Sequence, residues 1–305
     1  MSRSRYRSDR GLIARMGLTM FLLGLLFVVL GSLLVYYFAF WGLVFFVGFL
    51  GVQWYFSDRL ALYGMGGRVV TPEEAPELHG IIDRLCAIAD MPKPRVAIAD
   101  TDVPNAFATG RSQNHAVVCA TTGIMRRLDE RELEGVLAHE LSHVAHRDVT
   151  VMTIASFVGV LAGFLTRTAM WSGMMGGGDR RNNGNNNNGG APAVLVVLLV
   201  SMVVYALSFL LIRTLSRYRE LAADRAGAYL TGQPSALASA LTKISGEMGR
   251  IPARDLRQAE PFNAFFFTPA MAPGFSLSSL FSTHPSLEKR LDQLGRISAD
   301  LSRPS

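Results

Sequence analysis

Cysteine is nearly absent from this chain of 305 residues, which has two, Cys86 and Cys119. They stand far apart and without CxxC spacing, which excludes a disulfide framework and a cysteine-type zinc cluster. Charge is scarce as well. Asp, Glu, Lys and Arg make up 18% of the residues against 50% hydrophobic, where a water-soluble domain carries about 25% charged residues. A simple soluble globule is a poor fit, and disorder over most of the chain is excluded because apolar content this high has to be buried in something. The net charge of +6 would suit a nucleic-acid partner, but the basic residues form no single stripe and no nucleic-acid motif is present. No such partner is expected.

What stands in place of charge is a set of long apolar runs. Residues 16–56 form an uncharged stretch of 41 residues. A single bilayer span takes roughly 20, so the run predicts a transmembrane hairpin. Its turn is expected between Tyr36 and Trp41, whose aromatic rings suit the interface between lipid and water. A secretory signal does not fit, since its apolar core holds only about 7–15 residues. A second pair follows, with residues 149–166 uncharged for 18 residues and residues 192–212 for 21. Between them, residues 176–190 are mostly Gly and Asn, a low-complexity composition that packs no core and reads as a disordered loop.

The chain thus divides into a basic N-terminus (1–15), a first hairpin (16–56), a soluble part (57–148), a second hairpin (149–212) and a final soluble part (213–305). Arg3, Arg5, Arg7, Arg10 and Arg15 precede the first run, and Arg213, Arg217 and Arg219 follow the last. The intervening loop has only Arg180 and Arg181. The excess of arginine on one side places both termini and both soluble parts in the cytoplasm.

In the first soluble part, Thr71-Pro72-Glu73-Glu74 combines a capping Thr with Pro at a first helical position. It predicts a helix ending near Asp90, with Leu78, Ile81, Ile82, Leu85 and Ile88 on its apolar face. Three short β-like runs follow at residues 95–99, 105–109 and 115–120. Asp129 with Glu132 then caps a second helix, expected from Glu130 to about Asp148.

That second helix carries His139-Glu140-Leu141-Ser142-His143, an HExxH pattern. Residues four apart share a helix face, so both imidazoles can point at one ion, and Glu140 stands where it can accept a proton from metal-bound water. A catalytic zinc takes three protein ligands and keeps one position open. Glu220 and Asp224, again four apart, follow the last apolar run directly, so one can bind the ion while the other holds a ligating His. A charged flank that only anchors the membrane segment is the bland alternative. The HExxH pattern on the same side of a returning hairpin favours the ligand.

Taken in order, the segments 105–110 (Asn-Ala-Phe-Ala-Thr-Gly), 137–143 (Leu-Ala-His-Glu-Leu-Ser-His), Arg147-Asp148, 217–224 (Arg-Tyr-Arg-Glu-Leu-Ala-Ala-Asp) and Thr283-His284-Pro285 resemble the HtpX-type membrane zinc metallopeptidases, relatives of the prenyl-protein proteases. The resemblance extends from the first hairpin to about Leu294. It implies a mainly α membrane protein with about four transmembrane helices and a cytoplasmic mixed α+β, gluzincin-type zinc metallopeptidase domain. The activity it implies is that of an inner-membrane zinc endopeptidase, cleaving misfolded or damaged membrane proteins and unfolded polypeptides on the cytoplasmic side. The same resemblance assigns one Zn2+ per subunit to His139, His143 and Glu220, the general base to Glu140, and support of a ligand to Asp224. It sets Asn105 and Phe107 against substrate, and His284 and Arg290 at the substrate or transition state. The Gly/Asn loop and the aromatic stretch at 262–267 depart from the family pattern. The residues themselves leave one rival open, a non-enzymatic membrane protein with a structural zinc. That rival leans on a site type which more often has four ligands with cysteines and has no need of Glu140. A transporter would want ionisable residues within its spans, and the clear spans have none.

Overall fold

The computed structural model describes residues 10–148, 190–248 and 284–303. They form two compact units, one of residues 14–54 and 190–215 and the other of residues 10–13, 55–148, 216–248 and 284–303.

In the first unit, α1 (Arg10–Tyr55) is one helix of 46 residues. The turn expected between Tyr36 and Trp41 does not occur, and the helix runs through it. None of those six residues is Pro, Gly, Asn or Asp, so nothing local offers the backbone an alternative to its helical hydrogen bonds. Leu18, Phe21, Leu25 and Val28 follow one another at helical spacing on α1 and are exposed, Phe21 at 70%. The expected last span lies within α6 (Gly190–Thr231), where Leu199, Val203, Leu207 and Leu210 are likewise exposed. Among the described residues, no helix is long and apolar enough to cross a membrane. The 149–166 run, the 176–189 loop and the 262–267 aromatics lie outside them.

The second unit is built on a four-stranded sheet of order β1-β2-β4-β3: β1 (Gly67–Val69), β2 (Arg95–Ala99), β3 (Ala106–Thr109) and β4 (Val117–Thr121). β2 and β4 are parallel, while β1 on β2 and β3 on β4 are antiparallel. The three-residue β1 gives no readable pattern in the sequence, and the other strands match their expected runs to within two residues. β3 is an edge strand, with Ala108 opposite Val118.

Helices pack on this sheet. α2 (Ser57–Gly64) and α3 (Pro76–Ala89) precede β2, and the short α4 (Thr122–Arg127) follows β4. α3 starts at Pro76 rather than at Pro72, because Thr71–Glu74 close a turn in which the Thr71 amide donates to Glu74. The residue before a proline is pushed out of the helical region, and Ala75 at φ −143° marks the break. α5 (Glu130–Ala145) carries the expected capping box, Asp129 and Glu132 each satisfying the other's backbone amide. α7 (Pro234–Met248) and α8 (Leu287–Leu301) complete the unit. Leu78, Ile82 and Leu85 of α3, Val96 and Val118 of the sheet, Val136, Leu137 and Leu141 of α5, Leu237 and Leu241 of α7 and Leu294 of α8 form one core. The other face of the sheet carries a smaller cluster of Ala97, Phe107, Val117, Cys119 and Leu62.

Candidate metal centre and active site

α5 and α6 supply the site. His139 and His143 are one helical turn apart on α5, and both are buried, as are Glu140 and Glu220. Their Nε2 atoms face each other at 3.2 Å. Glu220 of α6 brings Oε2 to 3.7 Å from His139 Nε2 and Oε1 to 3.5 Å from His143 Nε2. Among the described residues these three are the group whose donor atoms converge closely enough to share an ion. Ligands held about 2.0–2.2 Å from a tetrahedral ion stand about 3.3–3.6 Å from one another. The observed separations of 3.2, 3.5 and 3.7 Å centre on that spacing.

The outer ring nitrogens are fixed too. His139 Nδ1 meets Asp224 Oδ1 at 2.9 Å, and His143 Nδ1 meets Asp148 Oδ2 at 2.8 Å. With Nδ1 held by a carboxylate, each imidazole presents Nε2 inward, as a ligating His requires. Arg290 donates to both oxygens of Asp224, from Nε at 2.7 Å and from Nη2 at 2.6 Å. His284 Nδ1 lies 3.1 Å from Glu220 Oε2. Glu140 is held by the backbone N–H of Ala108, which donates to its Oε2 at 3.0 Å. That bond ties the edge strand to the candidate base.

Electrostatics follow from this packing. Burial raises the Glu140 carboxyl above its ordinary value, even though the two histidines pull it down. Burial alone would lower the His143 imidazole. The Asp148 hydrogen bond and the Glu220 carboxylate outweigh it, and the group is pushed up to about 10. Burial would raise Glu220, yet the surrounding histidines hold it well below the usual range. A buried pair of imidazoles facing an ionised carboxylate is a site that welcomes positive charge.

One glycine makes the approach of the two helices possible. A Cβ on Gly227 of α6 would lie 3.0 Å from His139 N and 3.2 Å from His139 Cα. Only a residue without a side chain lets α6 come this close to α5.

The remaining expected residues fall in different places. Asn105 is buried at the start of β3, its amide donating to Thr121 Oγ1 and its carbonyl accepting from the Thr121 amide, both at 2.9 Å. Phe107, expected against substrate, packs with Leu62, Ala97 and Cys119 and is 2% exposed. Alternation along a strand sends it to the face opposite Ala106 and Ala108. Arg290, expected at the substrate or transition state, sits behind His139 with its guanidinium engaged by Asp224 and its Nη1 3.9 Å from Glu220 Oε2. His284 is buried beside Glu220, at the approach to α8. Asp148 and Arg219 had no role assigned from the sequence, yet Asp148 grips His143. The cues in the sequence are the Arg147-Asp148 motif and the 217–224 segment that holds Arg219.

The sequence model of peptidase family M48 matches residues 72–298. The chain belongs to peptidase family M48. It is 59% identical over 300 residues to the protein named Protease HtpX homolog 1 of Streptomyces coelicolor, covering 98% of this chain and 96% of that one. It is 54% identical over 302 residues to Protease HtpX homolog of Moorella thermoacetica, covering 98% of each. Among solved structures, Ste24p of S. mikatae is similar at a TM-score of 0.53, covering 94% of this chain and 67% of that one. At 17% identity this is a likeness of fold. As an M48 peptidase the chain is a metalloprotease, and His139, His143 and Glu220 are compatible with its metal.

Proposed function

We propose that this M48 peptidase is a zinc-dependent endopeptidase of the inner (cytoplasmic) membrane that cleaves misfolded or damaged membrane proteins at the cytoplasmic face. The observation that carries the hydrolytic reading is the convergence of two Nε2 atoms and one carboxylate, with a buried Glu140 beside them. A His2Glu donor set of this kind holds zinc with one position open, where the ion acidifies water and polarises a scissile carbonyl. Glu140, kept in place by the Ala108 amide, takes the proton of the attacking water and delivers it to the leaving amine. The open edge of β3 offers backbone groups to an extended peptide, with Asn105 fixing the start of that edge. His284, beside Glu220, adds a donor toward the oxyanion of the tetrahedral intermediate. A structural zinc would need a fourth side-chain ligand and would leave Glu140 without a task.

The membrane part of the reading rests on the exposed apolar stripes of α1 and α6, since apolar surface of that extent calls for a non-aqueous partner. The arginine bias places the soluble parts in the cytoplasm. The test is cleavage of an unfolded polypeptide by the full chain in lipid vesicles, with metal content measured in parallel. Glu140→Gln should keep stoichiometric metal and lose about 100-fold or more in turnover, and Glu220→Ala should lose the metal. Native turnover in Glu140→Gln would refute the catalytic assignment.

A further inference from the structure

His143 is the less expected of the two histidines in the way it is held. Its Nδ1 partner, Asp148, lies five residues further on, beyond the end of α5, where a straight helix would have carried it away. The chain is turned back at Arg147, which adopts φ 57°, a left-handed conformation uncommon for a residue other than glycine. The turn is closed by the Arg147 amide on the Val144 carbonyl at 3.1 Å. It delivers Asp148, 1% exposed, to His143 Nδ1. Against the same Oδ2 stands Arg219, whose Nε forms an ion pair with it at 3.1 Å, outside hydrogen-bond geometry, and whose side chain is 9% exposed. A strained turn, a buried carboxylate and a buried guanidinium thus converge behind one ring nitrogen.

We infer that Asp148 and Arg219 form a positioning pair that holds His143 in its metal-binding tautomer and orientation, matching what Asp224 and Arg290 do for His139. Nδ1–H donates to the Asp148 carboxylate, which keeps the ring proton on Nδ1 and leaves Nε2 unprotonated and aimed at the ion. Arg219 balances the charge of that carboxylate, since an unpaired buried charge is costly. Arg219 immediately precedes Glu220, so one segment of α6 supplies a ligand and secures another through Asp148. In sequence the pair brackets the whole second apolar excursion, so it closes only when that excursion has brought the chain back. The two relays differ in how firmly the arginine holds the carboxylate. Asp224 is gripped on both oxygens, whereas Asp148 Oδ1 has no hydrogen-bond partner among the described residues. The His143 arm is therefore the one more easily loosened.

The inference rests on His143 being a metal ligand, as proposed above. It is tested by titrating Zn2+ into the metal-free full chain against a chromogenic chelator, alongside the unfolding midpoint of the same metal-free samples. Loss of an outer partner of a ligating His typically weakens metal binding about 10- to 100-fold. That range is expected for Asp148→Asn. Arg219→Gln should weaken binding by about threefold or more, Arg219→Lys should recover most of that loss, and Asp148→Asn/Arg219→Gln should bind no worse than Asp148→Asn alone. If the pair only clamps the fold, the metal-free midpoint falls while zinc affinity stays within about threefold of native, and the inference is overturned. Strictly additive losses in the double variant overturn it too. Should Asp148→Asn not fold, the contrast between Arg219→Gln and Arg219→Lys decides alone. His143→Ala separates this failure from a larger one, because zinc binding unchanged in that variant would remove the metal site itself.

Discussion

Replacing Gly227 by Ala tests whether the close contact of α5 and α6 builds the metal site. Glu220, Asp224 and Gly227 follow one another by four and three residues, so they share the face of α6 that meets α5. The added carbon would lie 3.0, 3.2 and 3.3 Å from His139 N, His139 Cα and Ala138 C. Comfortable carbon contacts begin at about 3.5 Å, so the helices must part by about half an ångström. The obstructing atoms are backbone in the middle of a buried helix and cannot rotate aside. Overpacking of this kind costs about 1–3 kcal/mol. Gly→Ala in a helix returns about 0.8–1.0 kcal/mol through propensity, and the expected net loss is about 1 kcal/mol. The same parting lengthens the 3.5 and 3.7 Å separations from Glu220 to the histidines, so zinc affinity should fall about tenfold, equivalent to about 1.4 kcal/mol. Gly295 in α8 is the control, because it is exposed and nothing lies within 4 Å of its built Cβ. Gly295→Ala should stabilise by up to about 1 kcal/mol and leave zinc binding unchanged. The assays are metal-free unfolding and zinc titration on the full chain. Gly227→Ala as stable as native and with native zinc affinity would refute the reasoning.

Three further outcomes are expected. His284→Ala should lower turnover by about 100-fold, the usual loss for an oxyanion donor, with metal content normal; a drop under about threefold would remove the role. Glu132 receives Ser239 Oγ at 2.6 Å and Lys243 Nζ at 2.7 Å. Burial would raise its carboxyl, but these bonds hold it below its ordinary value. Its contribution is therefore complete above the normal carboxylate range and is lost as the pH falls through the lower native value. Glu132→Gln should cost about 1 kcal/mol at neutral pH, since Lys243 is half exposed and screened, and the gap in denaturant midpoint from native should close in acid; a gap constant with pH would contradict this. Single cysteines at Ser57 and Arg254 should be shielded from a reagent confined to the outside, and one at Asn185 should react. Labelling at position 254 would invert the proposed orientation.

The parts of the site that could be read from the sequence are those set by helical spacing. His139 with His143, and Glu220 with Asp224, each recur at four residues, and that spacing alone fixes a common face. The Asp129 cap and the strands at 95–99 and 105–109 were readable from local chemistry in the same way. Properties that depend on which face meets which neighbour were not. Phe107 stands between two alanines whose side chains point the other way, and nothing in the local pattern says which face meets α2. Arg290 has the spacing of a substrate contact but lies behind Asp224, a placement decided by how α8 docks. Asp148 reaches His143 only through the left-handed Arg147, which no periodicity announces. The uninterrupted α1 shows the limit of reasoning from length: 41 uncharged residues allow two spans, but without a turn-forming residue the helix has no local reason to stop.

If substrate adds to β3 as proposed, the strand's edge position sets a condition on what can be cut. The Ala108 amide points away from β4 and is taken by Glu140, so under the proposed strand addition this rim would meet a visitor through its remaining main-chain atoms. A visiting segment can answer only with amides and carbonyls of its own that are not already engaged. A residue inside an intact helix or sheet has both spoken for, and releasing several in a row costs more than a short rim returns. Under the proposed strand addition, selection would fall to the substrate's own stability: frayed ends, melted turns and stretches that never folded present free backbone, and a sound neighbour of identical sequence does not.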